Sequence, residues 1–154
     1  MRKIILLLIF IIIVSSSIFS NLLNDYDSLH NKIAECSSEL WAVMELRDTL
    51  NNRDLKFAES SYNHIVLQMG DIMHHKDLLR IYYYINGNLK IKIFVKKIIE
   101  KNLKLMQESL NDTFEYYDGV LEMKGYIKFK PLLKVVNVHK KLMNEFKMIM
   151  KKFK

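Results

Sequence analysis

Apolar residues recur in alternating steps of three and four along most of this chain, the spacing that places side chains on one face of an α-helix. A first stripe comprises Leu22, Tyr26, Leu29, Ile33, Cys36, Leu40, Val43 and Leu50. The pair Asn51-Asn52 interrupts the pattern. A second stripe comprises Ala58, Tyr62, Ile65, Met69, Ile72, Leu79 and Tyr83, with Lys76 as its polar member. A helical hairpin is the simplest structure that buries both stripes.

Two further stripes follow in the second half of the chain. The third comprises Val95, Ile99, Met106, Leu110, Thr113, Tyr117 and Leu121. The fourth begins at Pro131, a favourable first-turn residue, and comprises Leu132, Val135, His139, Leu142, Phe146, Ile149 and Phe153. Four glycines and one proline in 154 residues also argue against a turn-dense β-sandwich. The pattern therefore predicts an all-α fold, an antiparallel bundle of about four long amphipathic helices.

The stretch YYYINGNLKIKIFV allows a second interpretation. Asn86-Gly87 lies between two β-prone runs, which is a β-hairpin signal. After it, two sets of residues alternate: Leu89, Ile91, Ile93 and Val95 against Lys90, Lys92 and Phe94. A glycine at this point serves equally well at the end of a helix. We favour the helical turn, because an isolated hairpin is only marginally stable without a sheet to join.

Residues 1–20 have the layout of an export signal. Arg2-Lys3 precedes eleven uninterrupted apolar residues, from Ile4 to Val14, and a run of serines follows. The run is short for a spanning helix, which needs about 20 apolar residues. Cleavage after Ser20 or Ser17 is the favoured outcome, and a retained anchor formed by residues 4–19 is the alternative. The prediction is a signal peptide or membrane anchor at 1–20 and one helical domain at 21–154, in a periplasmic, secreted or membrane-anchored protein.

The formal net charge of +7 is concentrated at the C-terminus. Residues 124–154 carry ten lysines and one glutamate, whereas residues 21–70 carry eight acidic and four basic side chains. The fourth stripe thus predicts a basic amphipathic helix, which either meets an anionic membrane or a partner, or is an ordinary outer helix of the bundle. Export makes nucleic acid the weakest partner. The predicted surface consists of Lys140, Lys141, Lys147, Met148, Lys151 and Lys152.

Candidate chemistry is sparse. His74-His75 with Asp71 resembles metal-ligand material, but adjacent histidines point about 100° apart on a helix, so ordinary surface histidines are the better interpretation. No catalytic motif or glycine-rich phosphate loop is present, and neither a cofactor nor a small-molecule substrate is predicted. Cys36 is expected to be buried, or else to link two copies in a homo-oligomer. Trp41 lies beside its stripe and is a candidate interface residue.

These features predict a small exported protein that acts by binding a partner protein, a membrane surface or itself, and not by catalysis. The chain resembles accessory proteins of holin-like or haemolysin systems in its layout, which is an export signal followed by a helical body and a basic amphipathic end. That resemblance implies a role in membrane permeabilisation. A periplasmic holdase chaperone, a class that is also basic and helical, is a further alternative.

Overall fold

The computed structural model describes residues 2–85, 87–123 and 125–152, with side chains described from Ser16 onward. Its elements are α1 (Arg2–Glu45), a short 3-10 helix η1 (Arg47–Thr49), α2 (Asn52–Tyr84), α3 (Leu89–Glu122) and α4 (Lys130–Lys151). The described residues contain no strand, which confirms the predicted all-α fold with four long helices. Most side chains of residues 1–20 lie outside the described residues, so their role as signal or anchor stays a prediction.

The α1–α2 connection differs in detail from the predicted one. The first stripe extends to Leu50, but α1 ends at Glu45, and Leu50 packs partly buried against the core after η1. The Asn51 side chain accepts hydrogen bonds from the backbone N–H groups of Arg53 and Asp54, both at 2.9 Å. It therefore caps the first turn of α2, as asparagine commonly does at this position.

The α2–α3 connection is a helical turn, as predicted, and not a β-hairpin. Gly87 has φ of 86°, a left-handed conformation that glycine adopts without steric cost. The side chain of Asn88 accepts a hydrogen bond from the backbone N–H of Ile91 at 3.2 Å and so caps α3. The alternation that favoured a hairpin lies in the first turns of α3, where several apolar side chains point outward.

The four predicted stripes form the core of the bundle. Most of their members are buried, and Tyr62, Met69 and Leu121 pack against the core partly buried. Tyr83, predicted as the last member of the second stripe, is exposed instead. Phe153 lies outside the described residues. The polar members Lys76, Thr113 and His139 are buried as well. α1 packs chiefly on α2 and α4, and α3 chiefly on α2.

A buried carboxylate connects the start of α2 with the start of α4. One Asp54 oxygen accepts the backbone N–H of Lys128 at 3.0 Å, and the other accepts that of Phe129 at 3.2 Å. Asn51 Nδ2 donates to the same carboxylate at 2.8 Å. Phe129 precedes α4 and has no side-chain cap of its own, so Asp54 satisfies backbone donors that would otherwise be exposed at the start of this helix.

Ring contacts show the relative direction of α1 and α2. Phe19 stacks on Tyr83 with ring centroids 3.6 Å apart, whereas Trp41 contacts Tyr62 at 5.6 Å. The two helices are therefore antiparallel. We call the end of the bundle at the α2–α3 turn the tip, and the end at the α1–α2 turn the far end.

The tip has one helix fewer than the rest of the bundle. Near the end of α4, Lys152 Nζ lies 2.6 Å from a carboxylate oxygen of Asp25, and Lys151 and Leu103 line the same small cavity. Over the described residues, α4 thus ends opposite residues 25 and 103. Closer to the tip, the described residues form only α1, α2 and α3.

Candidate functional site

A layer of hydrogen-bonded polar side chains links three helices inside the core. Nε2 of His139 lies 2.8 Å from the Gln68 side-chain oxygen, and Nδ1 of the same ring lies 2.9 Å from the Tyr117 hydroxyl. Gln68 Nε2 donates to the Thr113 hydroxyl oxygen at 3.3 Å. That oxygen in turn lies 3.0 Å from Nδ1 of His64. The layer therefore joins α2, α3 and α4 through side chains alone.

Burial keeps the members of this layer neutral. It lowers the pKa of His139 to about 3, with a smaller contribution from the nearby His64, and it raises the pKa of Tyr117. Hydrogen bonds among these polar atoms hold the three helices in alignment. Thr113 and His139 were predicted as stripe members. Gln68 was not, because it lies beside the second stripe and only the folded structure brings it to His139.

The three candidate metal ligands in α2 do not converge. His75 is buried, with Nδ1 2.8 Å from the Asn102 side-chain oxygen, whereas His74 is exposed and Asp71 is half-buried. Burial lowers the pKa of His75. The interpretation of His74-His75 as surface histidines is therefore wrong for His75, since it faces the core. No group of three His, Cys, Asp or Glu side chains capable of holding a metal occurs among the described residues.

Cys36 lies on the buried face of α1, which agrees with the first of its two interpretations. Burial raises the pKa of its thiol to about 11, and the neighbouring carboxylates of Glu39 and Glu35 contribute in the same direction. A disulfide to a second copy needs a thiol at the surface. Cys36 does not offer one in this structure.

Trp41 lies in an open groove near the far end of the bundle. Its side chain is 53% exposed, in keeping with its predicted place beside the stripe. The groove has a volume of about 580 Å³ and is lined in part by Tyr62, Glu45, Glu59 and Arg47. Tryptophan and tyrosine are enriched among the residues that contribute most to binding at protein interfaces.

Several lysines of the predicted α4 surface contact neighbouring helices. Lys140 pairs with Asp118 of α3, and Lys152 pairs with Asp25 of α1. Lys147 donates to the Asn111 side-chain oxygen at 2.9 Å and lies over the Phe114 ring at 4.1 Å.

The rest of this surface remains exposed to solvent. It consists of Lys141, Met148 and Lys151. Met148 borders a groove of about 460 Å³ between α1 and α4, whose lining includes the carboxylates of Asp25 and Glu145. The structure thus brings this lysine face beside acidic groups of the bundle itself, which is the arrangement expected of an ordinary outer helix.

A second basic surface lies at the tip, where the apolar spacing predicted only a turn. Large apolar side chains are exposed there beside the lysines at the start of α3. Phe94 is 63% exposed, for example, although it belongs to a long helix. We define the tip surface by the exposed apolar residues Ile18, Ile81, Tyr84, Leu89, Ile91, Ile93 and Phe94, together with Lys90, Lys92, Lys96 and Lys97.

Comparisons with known proteins assign no family to this chain. No protein-family model, no curated protein and no solved structure matches it. Within the part of the chain that was described, no helix has a segment both long and apolar enough to cross a membrane.

Proposed function

We propose that this protein is an exported binding protein, held at a membrane by its N-terminal apolar segment and built on a rigid helical bundle. In this account residues 4–19 remain attached as the anchor. The bundle stands on the membrane surface with its tip toward the lipid. The protein acts by binding, and the far end of the bundle is the part presented to a partner.

The course of α1 supports this proposal. The helix runs from Arg2 to Glu45 without interruption, so the apolar segment and the first stripe belong to one element. Its pairing with α2 begins at the tip, where Phe19 stacks on Tyr83. Cleavage after Ser20 would remove this ring from the bundle. Sixteen residues of helix, from 4 to 19, are about 24 Å long and reach most of the way across a hydrocarbon layer of about 30 Å.

Cell fractionation combined with N-terminal sequencing tests the proposal. We expect the chain to start at Met1 and to sediment with membranes, to resist extraction by salt and to dissolve in detergent. Ile11→Lys, which places a charge in the middle of the apolar run, should weaken membrane retention, because a central lysine disfavours insertion by about 3 kcal/mol. A soluble form that begins at Ile18 or Asn21 would contradict the proposal.

The groove at Trp41 supports a second candidate role, binding of a polypeptide that carries basic and apolar side chains. Glu45 and Glu59 place two carboxylates against the single guanidinium of Arg47 in the groove lining. The surrounding segment, residues 21–70, carries eight acidic and four basic side chains. An apolar side chain of the partner would pack on the Trp41 ring while its cations face the two carboxylates.

Trp41 reports on this groove directly, because it is the one tryptophan in the sequence. A cationic amphipathic peptide should shift its fluorescence to shorter wavelength, and Glu45→Lys with Glu59→Lys should remove the shift. The same charge reversal at Glu108 and Glu115 of α3 serves as the control and should leave the shift in place. A shift of equal size with an acidic peptide of matched hydrophobicity would refute this role.

A further inference from the structure

The tip surface lacks the covering that the rest of the bundle has. α4 ends opposite residues 25 and 103, so the first turns of α3 have no fourth helix beside them in the described structure. Phe94 and Ile93 are nevertheless at least half exposed. A solvated helix face normally carries polar groups, so large side chains at these positions indicate contact with something other than water.

The charges of the tip surface indicate what that contact is. Residues 89–101 contain five lysines and one acidic residue, Glu100. Lys96 lies 3.8 Å from Glu100, and Lys92 lies over the Tyr82 ring at 5.0 Å. Neither Lys90 nor Lys97 forms an ion pair with another of the described residues. The surface is therefore positively charged and not neutralised by the bundle, in contrast to the lysines of α4 that pair with carboxylates.

The arrangement on the helix combines both properties. Phe94 follows Lys90 by four residues and precedes Lys97 by three, so all three share one face of α3. An aromatic side chain between two lysines suits a membrane–water interface. There the ring enters the boundary of the acyl chains while the lysines extend to phosphate groups.

We propose that the tip surface binds the headgroups of anionic phospholipids and is a second membrane contact beside the N-terminal segment. Phe19, the last residue of that segment, stacks on Tyr83 at the same end of the bundle. The inference rests on the proposed function, because a retained anchor brings the tip to the lipid. The lysines and Phe94 then fix how the bundle stands on the membrane.

A tryptophan moved to the tip tests this contact in the full-length chain. In Trp41→Phe/Phe94→Trp protein, vesicles with brominated acyl chains and anionic headgroups should quench the new tryptophan. Quenching should be weak in neutral vesicles and fall at about 0.5 M salt, where screening acts within a few ångströms. The unmodified chain is the matched control. Its Trp41 lies 22 residues from Phe19, about 33 Å along α1, and should stay unquenched.

Charge reversal identifies the groups responsible. Lys90→Glu with Lys97→Glu should lower the ratio of quenched to unquenched protein by about 30-fold or more in anionic vesicles. Lys130→Glu with Lys134→Glu makes the same change in net charge at the far end and should alter the ratio by less than about threefold. Equal effects of the two double variants would overturn the proposal, because they would reflect net charge alone.

Flotation separates failure of this inference from failure of the proposed function. A chain that floats with neutral vesicles in high salt, but whose tryptophan at position 94 remains unquenched in anionic vesicles, overturns the tip contact and keeps the anchor. A chain that fails to float with neutral vesicles, but shows salt-sensitive quenching in anionic ones, supports the tip contact and overturns the anchor. Binding to soluble heparin without vesicle contact also overturns the tip contact, because the site would then fit a soluble polyanion.

Discussion

Two segments of this protein are amphipathic and rich in lysine, the first turns of α3 and the whole of α4. They differ in how far their apolar side chains are buried and in whether their lysines pair with carboxylates. α4 buries its apolar face from Leu132 to Met150, and two lysines of its predicted surface, Lys140 and Lys152, pair with carboxylates of α3 and α1. The first turns of α3 expose Phe94 and Ile93, and Lys90 forms no ion pair with another of the described residues. Similar sequence patterns therefore have different surroundings.

The difference follows from position in the bundle. α4 packs chiefly on α1 and also contacts α3, and a carboxylate of each of these helices pairs with one of its lysines. The start of α3 extends past the end of α4. A basic amphipathic pattern alone thus does not distinguish a packed outer helix from a surface that contacts lipid. The two cases are distinguished by whether a neighbouring helix with acidic side chains lies beside the basic segment.

Removing an aromatic side chain from each segment should give the largest difference in the free energy of unfolding between the two segments. Phe146 of α4 is buried and contacts Tyr26 at a ring distance of 6.2 Å, so Phe146→Ala should lower the free energy of unfolding by about 3–5 kcal/mol. Phe94→Ala should change it by less than about 0.5 kcal/mol, because this ring is exposed. Urea denaturation followed by circular dichroism measures both values. A large loss for Phe94→Ala would mean that this ring packs in the fold.

Acidification should weaken the part of the core that α4 shares with α2 and α3. The pKa of His139 falls from 6.5 to about 3 on folding, so between these values the unfolded chain binds more protons. The contribution of this residue to stability is therefore complete above pH 6.5 and declines as the pH falls. From pH 7 to pH 5 the loss should be about 2 kcal/mol. His64 and His75, whose pKa values burial also lowers, act in the same direction, and Asp71, whose pKa burial raises, acts against them.

The variant His139→Gln isolates this effect, because glutamine keeps a polar side chain in the layer but does not titrate. At pH 7 the free energy of unfolding of this variant should be lower than that of the original chain. Between pH 7 and pH 5 the variant should lose about 2 kcal/mol less of this free energy than the original chain does. An unchanged pH dependence would contradict the assignment of the acid sensitivity to His139.

The smallest expected difference in stability is between variants that remove one lysine from each segment. Lys152→Ala breaks an ion pair with Asp25 in which the Lys152 side chain is 57% exposed, so it should cost only about 0.2–1 kcal/mol. Lys97 forms no ion pair with another of the described residues, so Lys97→Ala should leave stability unchanged within error. Thermal melts at low and high salt should show that only the first variant loses its effect at high salt. A salt-sensitive loss in Lys97→Ala would indicate a partner within the bundle.

The sequence allowed much of the fold to be predicted, because stripe spacing depends only on the helical repeat. Ile33, Ile65, Ile99 and Phe146 all occupy predicted seam positions and are buried. Asn51-Asn52 correctly marked the α1–α2 connection. The end of α1 at Glu45 was missed, since apolar spacing continues to Leu50 across η1. That residue packs on the core from a connection, which spacing cannot distinguish from a helix.

The candidate sites were less predictable, because they depend on contacts between helices. The pairing of His139 with Gln68 needs two helices in register, and Gln68 lies outside any stripe. The buried position of His75 was missed because two adjacent histidines resemble a polar surface pair. Exposure at Phe94 was missed as well. It depends on where α4 ends relative to α3, and no local pattern fixes that length difference.

Labelling of single cysteines along α1 in isolated membranes tests the central claim, that the bundle stands with its tip at the lipid. Ser17 and Ser38 are both exposed and lie 21 residues apart, about 32 Å along the helix, while the native Cys36 is buried. We predict that a membrane-impermeant maleimide labels Ser38→Cys rapidly and Ser17→Cys slowly, and that detergent removes the difference. Equal labelling of both positions in intact membranes would contradict the account.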